Sequence, residues 1–141
     1  MEQALYQAAV LTFEELAYVF PVEGGDLKDL NLATSQKALV GFQGTFSGEL
    51  LLRIEDDALE AMALNILGDD EPLNEEMIRD VLGELANVIC GNALPTIAGK
   101  RKIFRLSAPD FNRDINPTIV PSATARVGME EGRADVSIYL N

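Results

Sequence analysis

Asp80, Glu84 and Asn87 are three polar residues at helical spacing within one largely apolar stretch of the sequence. On a helix that turns by about 100° per residue, Asp80 and Asn87 lie about 40° and 60° from Glu84 on the same side. The apolar residues centre about 110° round in the opposite direction, so the pattern predicts a helix with one buried side and one polar stripe. Because a carboxamide donates and accepts hydrogen bonds without carrying charge, the stripe suits the positioning of a small polar molecule such as water.

Small residues border this polar stripe. Gly91 lies about 20° from Glu84 on the same helical wheel, and Gly83 and Ala86 flank the stripe. Their small size would let another backbone or side chain approach the helix closely. Composition alone favours a simpler interpretation, in which the stripe is the solvated face of a buried helix. Its interpretation as a site therefore depends on the rest of the chain.

The composition of the chain restricts the chemistry that is available. The 141 residues include no His and one Cys, Cys90, which excludes a His-based catalytic triad, a Cys/His zinc site and an internal disulfide. A net charge of −12 disfavours binding to nucleic acid or to anionic lipid. The start lacks the basic region of a signal peptide, and the longest uncharged stretch, residues 85–99, is too short to span a bilayer. We therefore expect one cytoplasmic domain over residues 1–141, with no bound metal and no membrane association.

The periodicity of apolar residues predicts an α+β fold. Helices are expected over residues 3–20 and from Asp56 or Asp57, which accepts hydrogen bonds from the free amides as N-cap, to Leu67, with Gly68 ending that helix. A further helix is expected from Asn74 as N-cap to at least Leu94, where Pro95 should kink or stop it. An acidic loop is expected over residues 69–72. Strands are expected over residues 39–46, 49–54, 103–107, 122–129 and 134–140, with tight turns at Ser47 and Gly48 and at Glu131 and Gly132. Long helices separated from antiparallel hairpins indicate an antiparallel sheet with helices packed on one face.

Taken with Pro109, the polar stripe resembles the signature of the CheC, CheX and FliY chemotaxis phosphatases, and particularly that of CheX. The family signature is an Asp or Ser, then a Glu, an Asn and, after about twenty-two further residues, a Pro. Here the matching residues are Asp80, Glu84, Asn87 and, beyond twenty-one intervening residues, Pro109. The predicted order of helices and strands is also similar to that of CheX over most of the chain.

The resemblance implies hydrolysis of the aspartyl phosphate on a CheY-like response-regulator receiver domain. It implies that Asn87 orients the attacking water and that Glu84 forms a salt bridge to a lysine of the receiver. Asp80, Gly91 and Pro109 are then expected to contribute to docking of the substrate protein. The chain would need no cofactor of its own, because the receiver is expected to bring its own Mg²⁺.

The resemblance also implies a homodimer formed through sheet edges, for which the strand over residues 134–140 is a candidate. A short internal sequence similarity raises the question of a second site. The segment Glu15-Leu16-Ala17-Tyr18-Val19 matches residues 84–88 except that Tyr18 replaces Asn. Five residues leave duplication and coincidence equally open. With Tyr18 in place of the amide, we expect one site per subunit.

Two classes of function are compatible with these residues. The first is an enzyme, a phosphatase that acts on a protein aspartyl phosphate. The second is a non-catalytic CheX-like module that keeps the motif helix for dimerisation or for binding a signalling partner. The intact set of Asp80, Glu84 and Asn87 favours the enzyme, but a shared fold does not by itself decide between them.

Overall fold

The computed structural model describes residues 1–22, 29–68 and 72–141. The described helices are α1 (Glu2–Ala17), α2 (Asp56–Leu67) and α3 (Glu75–Ala98), and a short 3₁₀ turn covers Leu32–Thr34. The described strands are β1 (Ser35–Gln43), β2 (Gly48–Glu55), β3 (Arg105–Leu106), β4 (Ala123–Met129) and β5 (Gly132–Leu140). The acidic loop predicted over residues 69–72 lies, apart from Pro72, outside the described residues.

The strands form one antiparallel sheet in the order β3-β1-β2-β5-β4. Alternate residues of each long strand point to the same face, and on β5 Ala134, Val136 and Ile138 are fully buried. These residues form one hydrophobic core with the apolar sides of α1, α2 and α3. The prediction of an α+β fold with helices on one face of an antiparallel sheet is therefore confirmed.

The turn between β1 and β2 differs from the predicted tight turn at Ser47 and Gly48. The connection spans residues 44–47, and Gly48 is the first residue of β2, where it pairs with Phe42 and Leu140. A Cβ atom at Gly48 would lie 2.1 Å from the carbonyl oxygen of Tyr139. The glycine therefore allows two strands to approach closely and does not serve as a left-handed turn residue.

Two helix ends also differ from the prediction. The first helix stops at Ala17 instead of continuing to residue 20, because Tyr18 adopts a left-handed conformation with φ 52° and ψ 36°. The amide of Asn65 caps this end by donating to the carbonyl oxygen of Ala17 over 2.8 Å. In the long helix, Pro95 does not end the helix, which continues to Ala98. Pro95 costs one hydrogen bond, but its own carbonyl still accepts from Gly99 at 2.9 Å, so helical geometry resumes beyond it.

Two predicted helix boundaries are confirmed and one is wrong. The Asn74 side chain caps α3 by accepting from the Met77 N–H at 2.8 Å, and Gly68 ends α2 with φ 83°. The N-cap of α2 is Glu55, not Asp56 or Asp57. The Glu55 carboxylate makes no cap hydrogen bond, since it instead accepts the backbone N–H groups of Asn31 and Arg133 at 2.9 and 2.8 Å.

The segment after β3 closes one edge of the sheet along β1. Ser107 and Gly41 exchange hydrogen bonds of 2.8 and 2.9 Å, and Leu39 and Asp110 form an isolated bridge through bonds of 2.8 and 2.9 Å. The strand predicted over residues 103–107 is thus only two residues long, followed by backbone that tracks β1 without a regular ladder. This segment leads Pro109 to α3.

The opposite edge of the sheet is β4, since β5 lies between β2 and β4. The expectation that residues 134–140 supply an exposed edge is therefore wrong: β5 is hydrogen-bonded on both sides. Residues 21 and 22, beyond α1, cover the far end of β4, where Pro21 bridges to Met129 and Val22 donates to the Gly128 carbonyl at 2.8 Å. No strand pairs with the rest of that edge within residues 1–22, 29–68 and 72–141.

Among the described helices, α3 has the length and hydropathy that a membrane span would need. Half of the residues in its apolar window are buried inside the protein. This burial explains the hydropathy of α3, because a helix in the centre of a core is apolar over much of its circumference.

Asp135 lies on the outer face of the sheet between Arg53 of β2 and Arg126 of β4. Burial raises the pKa of its carboxyl above the usual 3.8, Asp29 and Glu55 act in the same direction, and the two arginines oppose them. Folding therefore disfavours the charged form. The resulting loss of stability begins as the pH rises through the unfolded-state pKa and is complete above the higher folded-state pKa.

We expect Asp135→Asn to raise the free energy of unfolding at about pH 7 and to leave it nearly unchanged at about pH 4. The gain is at most about 1 kcal/mol, because solvent screens this partly exposed group. Urea denaturation at the two pH values measures the difference, with Glu131→Gln in the adjoining turn as the control. A variant that is less stable than the parent chain at neutral pH would contradict the expectation.

Candidate functional site

The polar stripe lies on α3 as the periodicity predicts. The Asn74 cap fixes where the helix begins, and Glu75 and Glu76 in its first turn interact favourably with the helix dipole. Asp80 and Glu84 are exposed, and Asn87 is half-buried. Glu84 and Asn87 are one turn apart, about 4.5 Å along the helix axis. The structure therefore brings an exposed carboxylate next to a carboxamide at the rim of the core.

The carboxamide of Asn87 has one hydrogen-bonding atom that is buried and unsatisfied among the described residues. Its Oδ1 atom is buried, and no donor among the described residues forms a hydrogen bond with it. A buried acceptor without a donor costs about 1–3 kcal/mol, so folded proteins keep few of them. The last side-chain torsion of asparagine is broad and roughly two-fold, so rotation about Cβ–Cγ turns the oxygen outward without moving the helix. Asn87 is therefore only partly accessible, with an acceptor that gains from finding a donor.

Pro109 reaches α3 directly beside this amide. It packs with Phe111 against Gly83, where a Cβ atom would lie 3.0 Å from Phe111 Cζ and 3.1 Å from Pro109 Cγ. Gly83 is one turn before Asn87 on the neighbouring side of the helix. The two rings thus form a wall on one flank of the stripe, and the glycine is needed because the loop passes so close to the helix.

Gly91 lies at the other end of the stripe in open space. The residue is exposed, and a Cβ atom there would have no heavy atom within 4 Å. The stripe is therefore bounded at Gly83 by the wall of Pro109 and Phe111 and is open at Gly91. Of the predicted site residues, Asp80, Glu84, Asn87, Gly91 and Pro109 all lie on or beside one face of α3.

Phe111 is the part of this site that the sequence analysis missed. Its ring is partly buried against the core and stacks beneath the guanidinium of Arg79, 5.6 Å from the ring centre. The available signal in the sequence was its spacing of two residues from Pro109, because alternate residues of an extended segment share one side. Asp110, between them, is hydrogen-bonded to β1.

The single thiol and the acidic residues supply no further reactive group. Cys90 is fully buried on the core side of α3, and burial raises its pKa to about 12. It is a packing residue, as its position off the stripe predicts. No cluster of acidic, His or Cys side chains suited to a metal ion occurs in the part of the chain that the structure describes.

The segment at the end of α1 that resembles the motif, residues 15–19, does not form a second site. Tyr18 lies beyond the last residue of α1 and is 68% exposed, whereas Asn87 lies in the middle of α3. Leu16 is partly exposed while its counterpart Leu85 is fully buried. The two short segments therefore differ in helical phase and in burial, and Glu15 has no neighbouring carboxamide on its helix.

The contact at Gly83 predicts opposite effects for two glycine substitutions on one helix. At Gly91, alanine meets open space and should stabilise the protein by about 1 kcal/mol through its higher helix propensity. At Gly83, the same substitution should fail to stabilise and should cost about 1–2 kcal/mol, because the methyl group pushes against Pro109 and Phe111.

Urea denaturation of Gly83→Ala and Gly91→Ala measures this contrast, and amide chemical shifts of Asp110 and Phe111 report whether the wall moves. Equal stabilities for the two variants, with unchanged shifts at Asp110 and Phe111, would show that the close contact at Gly83 is unimportant.

One known protein family and several solved structures are similar to this chain. A family model described as "Chemotaxis phosphatase CheX" matches residues 37–130, two thirds of the chain. CheX from Desulfovibrio desulfuricans shares 20% identity at a TM-score of 0.74 over 99% of this chain and 97% of that one. CheX from Vibrio vulnificus shares 16% identity at a TM-score of 0.76 over 99% and 95%.

A further similar structure is a complex of CheX with CheY, BeF₃ and Mg²⁺ from Borrelia burgdorferi. It shares 17% identity with this chain at a TM-score of 0.64, over 99% of this chain and 96% of that one. No curated protein matches the sequence. The structural similarities establish a common fold.

Proposed function

Because the chain belongs to the CheX family of chemotaxis phosphatases, we propose that it hydrolyses the aspartyl phosphate on a CheY-like receiver domain. The observation that carries the proposal is the pairing on α3 of exposed Glu84 with a half-buried Asn87 whose carbonyl oxygen has no donor among the described residues. The family match and the complex of a CheX of the same fold with CheY support the choice of partner.

Asn87 orients the attacking water in this proposal. An acyl phosphate is already reactive and its leaving carboxylate needs no proton, so catalysis requires mainly a water held in line with phosphorus. The water oxygen forms a bond to phosphorus, the bond from phosphorus to the aspartate oxygen breaks, and the water's proton leaves with the phosphate or the solvent. The Asn87 carbonyl oxygen accepts a hydrogen bond from that water without adding charge beside the phosphoryl group.

Glu84 fixes the position of the receiver. Its carboxylate is exposed one turn from Asn87, and a salt bridge to a lysine of the receiver would set the distance between the amide and the phosphorylated aspartate. Asp80, Gly91 and Pro109 contribute to the docking surface on either side. The divalent cation of the reaction is expected to come with the receiver, as Mg²⁺ bound beside its phosphorylated aspartate.

Docking and the amide act together. The wall formed by Pro109 and Phe111 limits approach from one side of α3, and the open end at Gly91 leaves room for a partner. When the receiver covers the stripe, the Asn87 amide becomes enclosed between two proteins, where hydrogen bonds are stronger than in water.

A cytoplasmic location and a homodimer are expected from the same family membership.

A second candidate is a module that binds a signalling partner through α3 without catalysis. The buried position of Asn87 Oδ1 favours it, because an oxygen that stays turned inward cannot hold a water for attack. The two candidates share docking residues on α3, and only the first hydrolyses a phosphate on its partner.

The test is to mix the purified chain with candidate receivers carrying labelled phosphate and to follow loss of the label. A phosphatase accelerates this loss beyond the receiver's own rate, whereas a binding module forms the complex and leaves the rate unchanged or slower. Failure to bind any phosphorylated receiver would reject the phosphatase and leave a module for another partner.

A further inference from the structure

Three basic residues from separate elements border one small cavity beside the start of β1. Lys37 of β1, Arg53 of β2 and Arg79 of α3 border a volume of about 270 Å³, together with Ser35 and Phe111. Such a convergence is unexpected in a chain of net charge −12, which has 11 basic residues against 23 acidic ones. The residues come from separate elements, so the fold places them together.

Lys37 and Arg53 face each other directly across two neighbouring strands. Like charges in this arrangement destabilise a sheet. Burial and the charge of Arg53 lower the pKa of Lys37, while Asp110 acts in the opposite direction. The Lys37 side chain is only 16% exposed. The protein therefore keeps two like charges at directly opposed positions of neighbouring strands.

The backbone of β1 adds a donor at the same place. Leu39 and Gly41 direct their N–H groups to the segment after β3, as their hydrogen bonds to Asp110 and Ser107 show. Alternate residues of an antiparallel strand direct their N–H groups to the same edge, so that of Lys37 points there too. The regular pairing of β3 stops at Phe42 and Gln43, and the bridge at Leu39 is the last contact of the described chain along this edge towards Lys37.

Three carboxylates of the protein already lie close to these cations: Asp110 and Asp114 beside Lys37, and Asp135 opposite Arg53. Asp114 forms an ion pair with Lys37, and its own side chain is 80% exposed on the loop beyond Phe111. An ion pair with one highly exposed partner contributes little to stability. A ligand with more negative charge can therefore displace Asp114 at small cost and interact with the basic residues that border the cavity.

We propose that this cavity is a binding site for a small anion with two negative charges, of the phosphate or phosphomonoester class. The planar guanidinium groups of Arg53 and Arg79 offer paired donors that match the oxygen atoms of such a group. Lys37 adds a point charge and its backbone N–H. The cavity volume admits the anion with a small organic substituent. The site shares Phe111 with the wall beside α3 but uses neither Glu84 nor Asn87, and it does not rest on the proposed function.

The test uses inorganic phosphate as the probe, titrated into the folded chain at constant ionic strength. Two-dimensional NMR follows the Lys37 amide and the Nε–H groups of Arg53 and Arg79. We expect saturable shifts at all three, and binding that is about tenfold weaker in Arg79→Ala or Lys37→Met. Asp114→Asn should bind phosphate several-fold more tightly because it removes a competing carboxylate.

Matched variants separate this site from general attraction of anions. Lys102→Ala removes one exposed charge from the end of α3, and Glu60→Gln removes one exposed carboxylate from α2. Neither should change the affinity for phosphate by more than about twofold. Phosphate shifts that do not saturate, or that weaken equally in Lys102→Ala and Arg79→Ala, would overturn the proposal. Since Arg79 is exposed, its replacement keeps the fold and the result can be interpreted.

Discussion

Asn87→Ala is expected to reduce the acceleration of receiver dephosphorylation by about a hundredfold or more, equivalent to about 3 kcal/mol of transition-state stabilisation. The reason is that the carboxamide acts on the attacking water and not on the bound receiver, so its loss lowers the rate of the chemical step. Affinity for the receiver should change little. Loss of label from a phosphorylated receiver at saturating protein measures the rate, and a binding assay with the same receiver measures the affinity.

Asn92→Ala is the matched control for this experiment. Asn92 lies on the same helix, is exposed, and donates at 3.5 Å to the Thr12 hydroxyl on α1, away from the stripe. It should retain nearly full activity. The role of Asn87 is wrong if its alanine variant turns over the receiver as fast as the parent chain. A variant that loses affinity and rate together would identify the amide as a docking group.

Glu84→Gln is expected to weaken binding of the phosphorylated receiver by about tenfold, or about 1.4 kcal/mol. The substitution keeps the shape of the side chain and removes the charge that would pair with the receiver's lysine. The maximal rate at saturation should be largely preserved, because Asn87 remains in place. Titration at two salt concentrations measures the effect, and the deficit should shrink at high salt because screening weakens the ion pair in the parent complex.

Glu60→Gln on α2 removes the same charge from an exposed helix position away from α3 and controls for the change in net charge. Its affinity for the receiver should match that of the parent chain. An unchanged affinity in Glu84→Gln would contradict the bridging role. A loss of maximal rate at unchanged affinity would instead assign Glu84 to the chemical step.

Helix α3 and the sheet could be predicted because the local sequence patterns of these elements agree with the burial of their residues. Asn74 is a strong cap residue placed before two acids, and the alternation along β5 corresponds directly to one buried face. The polar stripe follows from the helical period alone. These features depend on residues close together in sequence.

The parts that could not be predicted depend on contacts between distant segments. Gly48 looks like a turn residue, but its real neighbour is the backbone of Tyr139 on another strand. Pro95 is expected to kink or stop the helix, but α3 continues past it to Ala98. Phe111 lies at the site because the segment after β3 is bonded to β1, and its spacing from Pro109 does not reveal that long-range contact.

The closed edge along β1 limits how copies of this protein can assemble. A sheet with two open edges can grow without end, each new chain offering another template, as in fibrils. Here the segment from Arg105 to Asp110 occupies one side, and Pro21 and Val22 occupy a corner of the other. Two copies joined through the remaining stretch of β4 would therefore leave, within the described residues, only the short start of β1 before Leu39 as an open edge, which disfavours growth beyond a pair.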